Sequence, residues 1–209
     1  MVVAALLSAC SVKPDTTDSL PTQTIEEREE ALKAFKPWRA LGSIAVESVK
    51  EGKLNATFAW DVDKQGFEIK LFGPLGVQAV HLSQDKNGAS IIDRNGTLEG
   101  ENAESLLEQA LGTLVPISQM QYWAVGLPGN GSSLQRDDVG RLQSMVVKDS
   151  NNVSWDVDFK RYTTLESLYL PKEIFVAGEG VMINLIFKKW SRGEPAADNG
   201  RLSIPGVSS

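Results

Sequence analysis

Apolar and polar side chains alternate along the stretch Leu54-Asn-Ala-Thr-Phe-Ala-Trp-Asp-Val62. The even positions are all apolar, and the odd positions are mostly polar. Successive side chains of a β-strand point to opposite faces of a sheet, so this period of two predicts a strand with one buried face and one solvated face.

The same alternation recurs along the chain. Apolar side chains occupy every second position of residues 67–71, 153–159 and 181–187, and a further candidate strand covers residues 77–83. Four sequences typical of tight hairpins separate such runs: Glu51-Gly52, Asn87-Gly88, Asn95-Gly96 and Gly178-Glu179-Gly180. Strands joined by short turns predict one antiparallel sheet that curls, in a mainly β protein with a few helices.

Three helices are predicted. Thr24 followed by Glu27 is typical of a helix N-terminus, and we expect Pro37 to close this first helix. The second helix follows the cap Asn102 and stops at Gly112. Its apolar stripe comprises Ala103, Leu106, Leu107, Ala110 and Leu111, and the third helix, at 117–125, carries Ile117, Met120, Trp123 and Ala124 on one side.

These helices are suited to cover the concave face of the curled sheet. An interior of this kind is too wide for side chains to fill completely, and such interiors hold ligands. The candidate lining residues are aromatic, because aromatic side chains provide a large apolar area at low conformational cost: Phe58, Trp60, Trp123, Trp155, Phe159 and Phe187. The alternative is that the same side chains form a packed core, and at this stage both interpretations stay open.

The chain opens with an apolar run that ends in Leu7-Ser-Ala-Cys10, and Cys10 is the single cysteine among 209 residues. Small residues followed by cysteine resemble the lipobox of a bacterial lipoprotein precursor, which implies cleavage before Cys10 and acylation of its thiol. We therefore expect residues 1–9 to be a signal-peptide remnant. The alternative is an ordinary thiol in a frayed terminus.

Composition divides the remaining chain into a domain and two polar flanks. Residues 10–23 comprise the predicted lipidated cysteine and a flexible tether, because this segment contains too little apolar surface to fold. Residues 24–190 form the predicted half-barrel domain, and residues 191–209 are predicted to be a disordered tail. A net charge of −6 argues against nucleic acid as a partner, since phosphate binding needs a basic surface.

Several segments, taken in order, resemble the LolB family of outer-membrane lipoprotein receptors. The most specific ones are Leu71-Phe-Gly-Pro-Leu-Gly76 and Tyr122-Trp-Ala-Val-Gly-Leu-Pro-Gly129. They stand between a strand that contains Trp60 and later strands that contain Trp155 and end at Trp190. The resemblance covers most of residues 31–190 and implies an incomplete antiparallel barrel with a helical lid over an apolar cavity, as in LolA and LolB.

The resemblance also implies a function. A LolB protein faces the periplasm from the outer membrane, accepts triacylated lipoproteins from the periplasmic carrier LolA, and inserts them among the outer-membrane phospholipids. We accordingly expect acylated cargo, a LolA-like partner and no cofactor, with the protein acting as a monomer. Ser11, directly after the lipidated cysteine, implies delivery to the outer membrane.

An apolar residue in a matching loop of LolB protrudes and helps to place cargo in the membrane. The corresponding residues here are Gly73, Pro74, Leu75 and Gly76, and we expect Leu75 to stand at the tip of a hairpin. Proline stiffens such a tip and glycine permits the turn. The alternative is a leucine that folds back onto the core.

Catalysis and metal binding find little support in the sequence. The single histidine, His81, lies among apolar residues. A metal site needs a cluster of ligands, and the sequence offers one histidine and no cysteine besides the predicted lipidation site. The pairs Asp61/Asp63 and Asp156/Asp158 alternate with apolar residues and are expected on the solvated face. Two other non-enzymatic functions remain: a lipid-anchored binder of phospholipid or glycolipid, and a structural outer-membrane lipoprotein whose barrel is filled.

Overall fold

The structure, a computed structural model, describes residues 23–50, 52–111, 115–149 and 151–193. The predicted lipidation site Cys10, the signal-peptide remnant, most of the tether, the helix stop at Gly112 and the tail from residue 194 onward lie outside the described residues.

Within these described residues, eleven strands form one antiparallel sheet. They are β1 (Trp38–Ser48), β2 (Gly52–Val62), β3 (Phe67–Phe72), β4 (Gln78–Asp85), β5 (Gly88–Asp93), β6 (Gly96–Gly100), β7 (Ser132–Arg136), β8 (Leu142–Lys148), β9 (Ser154–Leu165), β10 (Leu168–Gly178) and β11 (Val181–Arg192). Their order across the sheet is β6-β5-β4-β3-β2-β1-β11-β10-β9-β8-β7. In the part of the chain that the structure describes, β6 and β7 are therefore edges, and the sheet is open.

The predicted strands and three of the four predicted hairpins agree with this sheet, whereas Glu51 of the fourth hairpin lies outside the described residues. The opening stretch lies within β2, which pairs along its whole length with β1. The Asn87-Gly88, Asn95-Gly96 and Glu179-Gly180 turns join β4 to β5, β5 to β6 and β10 to β11. The mainly β fold class predicted from the sequence is confirmed.

The described ranges also contain the helices α1 (Ile25–Lys33), α2 (Ala103–Leu111) and α3 (Ile117–Ala124). At α1, the Thr24 side chain accepts from the Glu27 backbone N–H at 3.1 Å, and the Glu27 carboxylate accepts from the Thr24 backbone N–H at 2.9 Å, as the capping pattern predicts. The side chain of Asn102 caps α2 by accepting from Ser105 N–H at 2.9 Å.

The first helix ends at Lys33, earlier than the sequence predicts. Ala34 caps it by donating its N–H to the carbonyl of Glu30, and Pro37 comes just before β1 rather than at the helix end. The proline restricts only the residue directly before it, so it limits where the helix can end without fixing the last turn.

One continuous apolar cluster lies on one face of the sheet and under the helices. It includes Ile91 of β5 and Val147 of β8, which come from opposite halves of the sheet, together with Leu106 of α2 and Trp123 of α3. Strands this far apart in a flat sheet could not share a core with two short helices. The sheet therefore curls around the helices.

Candidate functional site

The structure brings all six predicted lining residues into the interior of the curled sheet. None exposes more than 6% of its surface, and all belong to the same apolar cluster. Phe58 and Trp60 come from β2, Trp155 and Phe159 from β9, Phe187 from β11 and Trp123 from α3. Strands from both halves of the sheet and one helix of the lid thus contribute to a single aromatic interior.

The rings of Phe58 and Phe187 meet over a glycine. Gly42 of β1 lies between these two residues in register, and their ring centroids are 5.6 Å apart at an angle of 80°. A Cβ atom on Gly42 would stand 2.5 Å from the Phe58 ring, too close for any side chain. Glycine in the middle of a strand weakens it, and here the two rings compensate by covering the bare backbone.

Three further aromatic residues extend this pair, and our sequence analysis did not assign them to the interior. The ring of Trp190 stacks on the ring of Phe187, with their centroids 4.7 Å apart. The ring centroid of Trp38 lies 5.4 Å from that of Trp190 and 5.5 Å from that of Trp60. The ring centroid of Phe35, just before β1, lies 6.2 Å from that of Trp190, with the two rings edge to face. The alternation of buried Trp38 and Ala40 with Arg39 is the sequence signal that marks this start of a strand.

The indole N–H groups of this interior fall into two classes. Trp155 donates to the Asp149 carboxylate and Trp190 to the Pro171 carbonyl, each at 3.1 Å. The buried Nε1 atoms of Trp60 and Trp123 have no hydrogen-bond acceptor among the described residues. Burying an unsatisfied donor costs free energy, so these two groups would gain from a polar acceptor on a bound molecule.

The loop between β3 and β4 presents Leu75 to solvent. Its side chain is 100% exposed, and its backbone has φ 66° and ψ 13° inside the short 3₁₀ turn Pro74–Gly76. The N–H of Gly73 donates to the carbonyl of Val77 at 3.0 Å and closes the loop behind it. Because the left-handed region is unfavourable for leucine and no contact rewards the exposed side chain, this conformation points to a functional role.

His81 alternates with Val80 and Leu82, which pack in the apolar cluster, and therefore lies on the outer face of the sheet. His81 is half-buried there, with its Nε2 atom 3.7 Å from a carboxylate oxygen of Glu68. In the described ranges, no three or more His, Cys, Asp and Glu side chains are grouped to hold a metal ion. No helix within those ranges has the length and apolar character needed to cross a membrane.

Asp61 corrects one expectation. We predicted its carboxylate on the solvated face, but only 5% of the residue is exposed. It does face outward, yet the side chain of Arg39 on the neighbouring strand lies over it, with a guanidinium nitrogen 3.5 Å from its carboxylate. Burial raises the pKa of Asp61; Arg39 opposes this shift and Glu68 adds to it.

The raised pKa of Asp61 predicts a pH-dependent cost. A folded-state pKa above the unfolded-state pKa means that ionisation destabilises the fold as pH rises from the ordinary value of 3.8 through the folded-state pKa. We expect Asp61→Asn to be more stable, relative to the wild type, at about pH 7 than at about pH 3.5. Urea unfolding at both pH values measures the difference, with the exposed Asp156→Asn as control; a pH-independent difference would contradict this prediction.

The family model for the outer membrane lipoprotein LolB matches residues 36–190. The chain belongs to the LolB family. It is 28% identical over 194 residues to the outer-membrane lipoprotein LolB of Marinomonas sp. (strain MWYL1), covering 91% of this chain and 95% of that protein. It is 25% identical to the LolB protein of Chromohalobacter salexigens, covering 91% and 87% of the two chains. This LolB-family protein is therefore an outer-membrane lipoprotein, as the sequence predicts.

Solved structures support the fold. A LolA superfamily protein from Nitrosomonas europaea has a TM-score of 0.55 at 8% identity, covering 85% of this chain and 96% of that one. A putative outer membrane lipoprotein-sorting protein domain from Vibrio parahaemolyticus has a TM-score of 0.53, also at 8% identity, covering 84% and 93%. The LolB family member thus shares the curled sheet and helices of LolA-like proteins.

Proposed function

We propose that this protein accepts acylated lipoproteins from a LolA-like periplasmic carrier and inserts them into the outer membrane, holding their acyl chains in the interior of the curled sheet. In this proposal Cys10 carries the lipid that anchors the protein to the outer membrane, and the domain acts as a monomer in the periplasm. No step requires a cofactor or a catalytic residue.

The exposed Leu75 is the observation that carries the proposal. A packed structural domain has no use for a leucine that is fully exposed in an unfavourable backbone conformation. In a protein that brings lipid to a bilayer, such a side chain is useful, because an apolar residue at a stiff loop tip can enter the acyl region of the membrane. Membership of the LolB family supports this use of the loop.

The aromatic interior supports the other half of the proposal. Each methylene group of an acyl chain is worth ~0.8 kcal/mol when buried, so acylated cargo must be shielded from water during transfer. The cluster around Phe58, Phe187 and Trp123 lies between an open sheet and short helices. Opening of the helices away from the sheet would expose these apolar surfaces to the chains, and the free indole N–H groups of Trp60 and Trp123 could meet carbonyl oxygens of the acyl groups.

A transfer assay tests the proposal. A LolA-like carrier is loaded with a radiolabelled triacylated lipoprotein and mixed with the full chain carrying Cys10→Ala, which cannot be lipidated. Label is then followed from the carrier to this protein and from the protein to liposomes. We expect label to pass in both steps without ATP.

Failure in the first step would be decisive if circular dichroism shows that the protein is folded. It would move the function toward another lipid cargo or a structural role, the two alternatives that the sequence left open. Binding of a solvent-sensitive apolar dye separates these, because a filled barrel has no room for the dye, whereas a binder of phospholipid or glycolipid does.

A further inference from the structure

A shallow depression of about 400 Å³ lies beside the Leu75 loop, and nothing in the proposed function uses it. Its lining residues come from the start of β4 with the residue before it, and from the end of β5 with the residue after it: Val77, Gln78, Ala79, Ile92, Asp93 and Arg94. Val77 directly follows the loop residue Gly76, so the depression begins where the Leu75 loop ends.

The depression faces away from the aromatic interior. Ile91 of β5 belongs to the core, so the next residue, Ile92, points to the outer face. Gln78 is paired with Phe72 of β3, and Ala79 is the extra residue at the register shift between these strands. Val77 is 66% exposed and Ile92 42% exposed, which is unusual for β-branched aliphatic side chains at two neighbouring positions on one surface.

The depression carries one charge of each sign, on Asp93 and Arg94. Asp93 is engaged locally, because its carboxylate accepts from the backbone N–H of Asn95 at 2.7 Å and from its side-chain amide at 3.1 Å. Arg94 is exposed, and its guanidinium makes no ion pair or hydrogen bond within the described part of the chain. A free arginine next to apolar side chains stands out on a protein whose net charge is −6.

We propose that this depression holds the phosphate group of a bilayer phospholipid while the Leu75 loop enters the membrane. Arg94 donates to the phosphate oxygens, and Val77 and Ile92 lie against the glycerol and upper acyl region. This inference rests on the proposed membrane insertion by the loop and adds a second contact point. A single inserted leucine leaves the domain free to rotate about it, whereas two contacts fix its tilt relative to the bilayer.

Vesicle flotation tests the inference with two membranes that both lack net charge. Phosphatidylcholine vesicles carry phosphate, and digalactosyldiacylglycerol vesicles do not. The full chain with Cys10→Ala serves as reference. We expect Arg94→Gln to lower binding to phosphatidylcholine vesicles about two- to fivefold, the range of an exposed ion pair, and to leave binding to galactolipid vesicles unchanged.

Lys86→Gln is the matched control, because Lys86 is an exposed cation on the turn between β4 and β5, at the other end of both strands. It should bind both membranes like the reference. A second variant, Ile92→Ser, should weaken binding to both vesicle types, because it removes apolar contact rather than charge.

Two results would overturn the inference. In the first, Arg94→Gln binds phosphatidylcholine vesicles as well as Lys86→Gln does. In the second, Arg94→Gln loses binding equally to phosphatidylcholine and galactolipid vesicles. The proposed function fails by a different measurement, the transfer of label from carrier to protein, in which Arg94 has no part.

Discussion

Leu75→Glu is expected to stop delivery of lipoprotein to liposomes while leaving its acceptance from the carrier intact. Transferring a leucine side chain from water to an apolar environment is worth ~1.5–3 kcal/mol, so its loss should slow delivery at least about tenfold, and the added charge increases the effect. The fold should be unaffected, since the side chain is fully exposed. The readouts are label on the protein and label on liposomes, measured in the same reaction.

Val139→Glu is the matched control for this prediction. Val139 is an exposed aliphatic residue in the turn between β7 and β8, and the variant adds the same charge to the protein. If both variants deliver cargo equally, the loop has no role in insertion. If Leu75→Glu accepts less cargo from the carrier, the loop serves carrier docking instead.

Of the variants predicted here, Phe187→Ala is expected to lower the free energy of unfolding most. The ring of Phe187 is buried and contacts both Phe58 and Trp190, and truncation of a buried phenylalanine costs ~3–5 kcal/mol. For a domain of this size the melting temperature should fall by roughly 10 °C. Urea and thermal unfolding, followed by circular dichroism, measure both quantities.

The control for this truncation is Met182→Ala, on the same strand but exposed, which should change stability by less than ~0.5 kcal/mol. A loss below about 1 kcal/mol for Phe187→Ala would contradict tight packing around the ring. Such a result would mean that Phe187 borders unfilled space, and dye binding should then show a cavity of useful size in the wild type.

Local patterns predicted much of this fold. The alternation in residues 54–62 placed β2, and the Thr24–Glu27 and Asn102 caps placed the starts of α1 and α2, because both kinds of signal depend on residues that are neighbours in sequence. The inward positions of Phe58 and Trp60 followed from the same alternation. The predicted end of α1 was wrong, because proline restricts only the residue before it and does not determine the last turn of a helix.

Contacts between neighbouring strands could not be predicted from the sequence. The burial of Asp61 depends on Arg39 being its partner in register, and the meeting of Phe58 with Phe187 depends on Gly42 lying between them. The depression beside the loop likewise requires Val77, just before β4, and Ile92 of β5 to lie close together. No pattern within a single strand contains these distances.

The sequence by itself determined the strands β2, β3, β4, β9 and β11, the helix starts, the family and the loop that contains Leu75. Alternation, capping and turn chemistry are local properties of the chain. The tertiary structure decided which aromatic side chains meet in one interior, that the Asp61 carboxylate is covered, and that Leu75 is fully exposed beside a depression with a free arginine. These features arise only when the sheet curls and its register is fixed, because they depend on contacts between residues far apart in the chain.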